Sequence, residues 1–204
     1  MHKKRYARFW REFGRFLWEH ILLLLFVGVF LVGVIAGCSG FAAFPAQSQQ
    51  QLSSFLALQS PAPDFSGFIV AVFSHYLLPF LLILLLALSG LSACGVPFIA
   101  LVPVLYGLGI GMQEAYYFST EGGTVPLLIA VLPPTLLLVW TLGMACSEAL
   151  RMTLRLSRQM LPGTAVSGNL WPDLKLYLTR FLLFLLLALG AALLQTVICK
   201  LYFG

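Results

Sequence analysis

Five separate stretches of about 20 apolar residues dominate this chain, around residues 20–40, 67–89, 95–118, 125–147 and 176–199. A run of that length has one favoured fate. As helix, at 1.5 Å per residue, it crosses roughly 30 Å of hydrocarbon with its backbone groups paired internally. Composition closes off the soluble alternative: 60% of the 204 residues are hydrophobic and 9% are charged, whereas soluble domains carry about a quarter of their residues as charges. The predicted fold class is therefore all-α, a polytopic membrane helix bundle of about five transmembrane helices, forming a single integral membrane domain over residues 1–204. The third run carries Pro97, Pro103, Gly107, Gly109 and Gly111. These are expected to kink or break it, which lipid tolerates only where neighbouring helices cover the freed backbone groups.

The basic residues orient the spans. Lys3, Lys4, Arg5, Arg8, Arg11 and Arg15 precede the first run, and Arg151, Arg155, Arg158, Lys175 and Arg180 lie between or beside the last two. Lys200 stands near the end, and nothing basic occurs between Arg15 and Arg151. With a cytoplasmic N-terminus, all but Lys200 of the 12 Lys and Arg residues fall on the cytoplasmic side, as the positive-inside rule requires. The C-terminus then lies outside the cell membrane. Residues 41–66 form an extracytoplasmic loop and residues 148–175 a cytoplasmic one. The basic balance signals membrane orientation and anionic lipid, not nucleic acid.

Two stripes of cations are amphipathic. In "KKRYARFWREFGRFLWEH", Lys4, Arg8, Arg11 and Arg15 fall on one side of a helix and Tyr6, Phe9, Trp10, Phe13, Phe16 and Leu17 on the other. This is the pattern of a helix lying in the membrane interface, and residues 1–19 are expected to form it. Arg151, Arg155 and Arg158 recur at helical spacing after the fourth run. That helix is expected to continue past the membrane and stop before "LPGTAVSGN", with its arginines on lipid phosphate. Glu148, three residues before Arg151, is placed to pair with it.

Small and polar residues inside the runs give the remaining candidates. Gly33/Gly37 and Gly107/Gly111 are GxxxG pairs, with Gly28 and Gly40 extending the first, and such positions let helices approach closely. His75, Gln113 and Glu114 are the intramembrane polar candidates, since polar groups in hydrocarbon are costly and mark function by default. A hydrogen bond from His75 to a neighbouring helix is the structural alternative to a proton relay. The loop "FPAQSQQQLSSFLALQSPAPDF" is rich in Gln and is either a plain spacer or the best outside surface for a partner. Leu52, Phe55 and Leu56 share a helical face there.

"VIAGCSG" around Cys38 also has the form of a lipobox, with Cys38 as its acylation site; retention of the span is the expectation, given the long aromatic segment before it. The four cysteines include no CxxC; free thiols are expected, with Cys38 and Cys199 placed near the same outer face. No catalytic, cofactor or metal motif is recognised: there is no HExxH, and His2, His20 and His75 have no metal-ligand spacing. A non-enzyme is expected.

The order of features resembles the stage II sporulation protein M family. The likeness is carried by "GVFLVGVIAG", the Gln-rich outside loop, "FSHYLLPFLLILLLALSG", "GVPFIALVPVLYGLGIG", "VLPPTLLLV" and "YLTRFLLFLLLALG". It implies a membrane anchor and scaffold for cell-wall hydrolases resembling stage II sporulation proteins D and P, acting during forespore engulfment, and it implies that the first span is kept. A permease or channel subunit is the competing class, motivated by the interrupted third run and "LPP" in the fourth. An intramembrane hydrolase ranks third. A homodimer through the glycine pairs is a candidate assembly.

Overall fold

The computed structural model describes residues 2–45, 47–49, 51–52, 64–92, 94–119, 127–160 and 170–203. They form five long helices: α1 (His2–Ala43), α2 (Phe65–Gly90), α3 (Val96–Ser119), α4 (Leu132–Met160) and α5 (Leu170–Phe203). A π-helical turn, Leu127–Val131, leads into α4. All five helices hold a segment long and apolar enough to cross a membrane, and no strand occurs among the described residues.

Lateral contacts give the arrangement. α1 and α3 run parallel, with Phe30 beside Tyr106 and Phe41 beside Tyr116. α5 runs antiparallel to α2: the Tyr76 hydroxyl reaches the Leu185 carbonyl, and that of Tyr177 reaches Ala87. α5 is also antiparallel to α4, through Arg180–Glu148 and Arg155–Asp173. Successive spans thus alternate in direction. The start of α1's apolar segment, the end of α2 at Gly90 and the Arg155–Asp173 pair share one end of the bundle. Phe41, Tyr116 and Lys200, which sits over the Phe68 ring, share the other. The two termini lie at opposite ends.

The surface and interior are those of a protein solvated by lipid. Val32, Ile35, Phe65, Leu136, Leu182 and Leu201 are all exposed. The centre holds Ile83, Leu86, Ile99 and Val102 with a set of small residues, Ala145, Ala149, Ala188 and Ala191. Lipid tails are as apolar as leucine, so burying leucine gains little here; close approach and dispersion hold helices together, and small residues permit it.

Proline effects differ from the expectation. α3 is continuous from Val96 to Ser119 through Pro103 and all three glycines. Pro103 has no N–H to give to the carbonyl of Ile99, one turn before it. The Cys146 thiol of α4 points at that carbonyl, at 3.8 Å, so a neighbouring helix covers the freed group. Pro133 and Pro134 fall at the second and third positions of α4, where a helix tolerates them, and the preceding turn widens to π geometry.

α1 continues without a break from residues 2–19 into the first span. α4 ends at Met160, at the expected boundary. Of the outside loop, residues 47–49 and 51–52 are helical, while Phe55 and Leu56 lie outside the described residues. Gln49 turns inward: its side-chain amide donates to the carbonyls of Phe41 and Phe44 at 3.0 Å each. It caps α1, where the last carbonyls have no helical partner.

Candidate functional site

Three features of the bundle bear on function: a glycine seam, a polar cleft and a cluster of charges. The seam joins α1 to α3. A Cβ placed on Gly33 would lie 2.5 Å from the Val104 carbonyl oxygen and 3.2 Å from the Cα of Gly107. One on Gly37 would overlap the Leu108 carbonyl, one on Gly107 that of Phe30, and one on Gly111 that of Val34. Both GxxxG pairs are therefore spent on each other within one chain. Cys38 joins the seam, its thiol donating to the Gly111 carbonyl at 3.1 Å. Gly28 is a correction to the expected packing set. A Cβ added there would meet nothing within 4 Å, and the same holds for Gly40, because the helix turns both away from α3.

The cleft opens on the other side of α3. Its volume is about 440 Å³, and it lies between α2 and α3 with α4 and α5 behind. His75, Gln113, Thr135 and Gln195 reach it from four different helices. It sits in the half of the bundle that carries Lys200, since Gln195 is little more than one helical turn from that residue. Pro79 adds an acceptor, because it cannot donate to the carbonyl of His75 one turn earlier.

Most hydroxyls inside the bundle are satisfied by their own helix. Thr135, Thr141, Ser147 and Thr196 each donate to the carbonyl four residues before, which removes the cost of a bare polar group in hydrocarbon. Neither the His75 imidazole nor the Gln195 amide has such a partner among the described residues. The cleft thus brings together two of the expected polar candidates, His75 and Gln113. The third, Glu114, does not line it. Thr135 and Gln195 are not among the sequence candidates, although Gln195 interrupts the last apolar run and the same reasoning applies to it.

The charged cluster closes the opposite end. Glu148, the least exposed of the group, receives Arg151 on Oε1 at 3.3 Å and Arg180 on Oε2 at 2.6 Å. Arg155 pairs with Asp173 at 2.8 Å. The expectation that Arg155 faces lipid phosphate is corrected to that extent: it has the Asp173 carboxylate, because the antiparallel register of α4 and α5 sets the two opposite each other. Arg151 takes Glu148 of its own helix, as the three-residue spacing predicts. All three arginines stay about half exposed, so donors remain for other acceptors. The side chains of Lys4, Arg8, Arg11, Arg15 and Arg158 lie outside the described residues.

Beneath the charges, the Thr153 hydroxyl donates to the carbonyls of Ser89 and Gly90, each at 3.3 Å. The Tyr177 hydroxyl donates to Ala87 at 2.9 Å. These bonds take up carbonyls at the end of α2, which helical pairing leaves open. A Cβ on Gly90 would collide with the Tyr177 hydroxyl. The cysteines are all free, Cys146 and Cys199 buried and Cys94 exposed.

No curated protein and no solved structure matches the chain. A protein-family model does, over residues 21–199, which runs from Ile21 at the start of the first span to within two residues of the end of the fifth. This multi-pass helical membrane protein belongs to the family described as stage II sporulation protein M.

Proposed function

We propose that the protein is a non-catalytic membrane anchor that organises extracytoplasmic cell-wall hydrolases at the septum during forespore engulfment. The observation that carries this reading is the family match across the whole bundle, residues 21–199. Three features agree with it. The seam and the small-residue centre make a rigid platform. Residues 41–45 and 64–66, which flank the expected outside loop, stand at the end of the bundle opposite the arginine cluster, and that end is extracytoplasmic if the arginines stay in the cytoplasm. Gln47 is exposed there, free to meet a partner, whereas Gln49 is used to close α1. The partners this reading names are hydrolases resembling stage II sporulation proteins D and P.

Co-purification from sporulating cells tests it. The intact protein is expected to bring down both hydrolases, and a variant with residues 47–63 replaced by a Gly/Ser linker is expected to lose them while keeping its membrane level. Recovery of the protein without either hydrolase overturns the reading.

The cleft favours a second reading, a permease or channel subunit. A groove where His75 and Gln195 have no hydrogen-bond partner among the described residues, in the half of the bundle opposite the arginine cluster, is a place where a polar solute can bind. Flux into proteoliposomes that falls in His75→Leu, with the variant still folded, would support transport. Lipid-tight vesicles with native protein would leave the anchor reading alone.

A further inference from the structure

A second groove, of about 820 Å³, runs between α1, α4 and α5 on the face away from the polar cleft. Its walls are apolar: Leu23 from α1, Trp140 and Met144 from α4, and Leu183 from α5. Arg151 and Arg180 stand at one end. Trp140, Met144, Glu148 and Arg151 follow at spacings of four, four and three along α4, so they form one stripe of that helix. From Arg151 to Trp140 the stripe descends about 16 Å at 1.5 Å per residue. That is the depth of one leaflet of a hydrocarbon core roughly 30 Å thick.

The charges at the mouth are held in place and left unsaturated. Glu148 grips one guanidinium with each carboxylate oxygen. Each guanidinium has five N–H donors and commits one nitrogen to Glu148. Two arginines and one glutamate leave a net single positive charge at the mouth. Arginine is suited to phosphate because its donors are planar and forked. A slot with apolar walls one leaflet deep, capped by a fixed cationic fork, matches a molecule with an acyl tail and an anionic phosphate head.

We propose that this groove is a binding site for an anionic glycerophospholipid of the leaflet on the arginine side. Its phosphate sits on Arg151 and Arg180, and one acyl chain lies along Met144, Leu183 and Trp140. The site is separate from the outward surface assigned to hydrolases, and either can fail without the other. It differs from general attraction of cations to the membrane surface in having a defined tail path.

Trp140 is a reporter inside the site. In a background with Trp10, Trp18 and Trp171 replaced by Phe, the protein is reconstituted with phosphatidylglycerol or phosphatidylcholine brominated on the acyl chain. Phosphatidylglycerol is expected to quench Trp140 at lower mole fraction, with a preference of roughly fivefold for the net single positive charge. Arg151→Gln with Arg180→Gln is expected to abolish the preference, and excess inorganic phosphate is expected to leave it intact. A groove-filling variant, Leu183→Trp read by retained lipid in native mass spectrometry, is expected to lose lipid with both arginines present. Monodispersity and helical content confirm folding of each variant.

Equal quenching by the two lipids overturns the proposal, as does a preference that survives loss of both arginines. A preference erased by inorganic phosphate would mark a free-anion site. Undiminished lipid in the groove-filling variant would reduce the contact to the headgroup surface. Shielding of Trp140 from both lipids in a concentration-dependent dimer would give the groove to a second copy. Each of these three results overturns it as well.

Discussion

The two faces of α3 are built on opposite principles. Toward α1 it presents Gly107 and Gly111, and a single added carbon would strike backbone on the facing helix. Toward α2 it presents Gly109, where an added carbon would meet nothing within 4 Å, and a cleft of about 440 Å³ opens. Two residues along a helix is slightly more than half a turn, so alternate glycines point to opposite sides. The same residue type therefore makes a close backbone contact on one side and borders the polar opening on the other. A glycine in a membrane helix is informative only together with what faces it.

Substitutions can break this contrast. Gly37→Leu is expected to have the largest effect, destabilising by about 3 kcal/mol, because the obstacle is the Leu108 backbone and cannot rotate away. Its unfolding midpoint in an SDS titration should fall clearly below that of the native protein; an unchanged midpoint would mean that α1 and α3 do not meet at these glycines. Tyr177→Phe comes next. It leaves the shape of the α2–α5 contact but removes the bond to Ala87, costing about 0.6–1 kcal/mol in the same assay.

Arg155→Gln removes an exposed ion pair with Asp173 and is expected to cost less than about 0.5 kcal/mol, with the difference shrinking as salt is raised. Gly109→Ala is expected to be the mildest, within about 0.5 kcal/mol of the native protein. A cost for Gly109→Ala as large as that of Gly37→Leu would erase the distinction between the two faces.

Much of the architecture can be read from the chain. Span number follows from apolar length, and the end of α4 follows from the Pro and Gly that succeed it. The Glu148–Arg151 pair is local, and three-residue spacing suffices to name it. The GxxxG pairs announce close packing, but not the partner. Whether Gly28 or Gly33 meets α3 depends on how α1 is rotated, and spacing alone does not give that. The Arg155–Asp173 and Arg180–Glu148 pairs depend on the register of α4 against α5, which no spacing within either helix gives. The cleft is harder still. His75 and Gln113 stand out as polar groups in apolar runs, but only the packing of four helices joins them to Thr135 and Gln195. Pro79 and Pro103 look alike as helix breakers; in place, Pro103 has its orphaned carbonyl covered by Cys146, while Pro79 frees that of His75 at the cleft.

Which end of the bundle faces the cytoplasm decides the side of both the arginine groove and the surface proposed for hydrolases. Cys94 is exposed in the turn between α2 and α3, while Cys146 and Cys199 are buried and Cys38 is engaged with Gly111. A membrane-impermeant maleimide applied to intact cells should therefore leave the native protein unlabelled and modify Cys94 once the membrane is permeabilised, while Gln47→Cys should label in intact cells. Labelling of Cys94 from outside, or protection of position 47, would contradict the orientation and with it the functional reading.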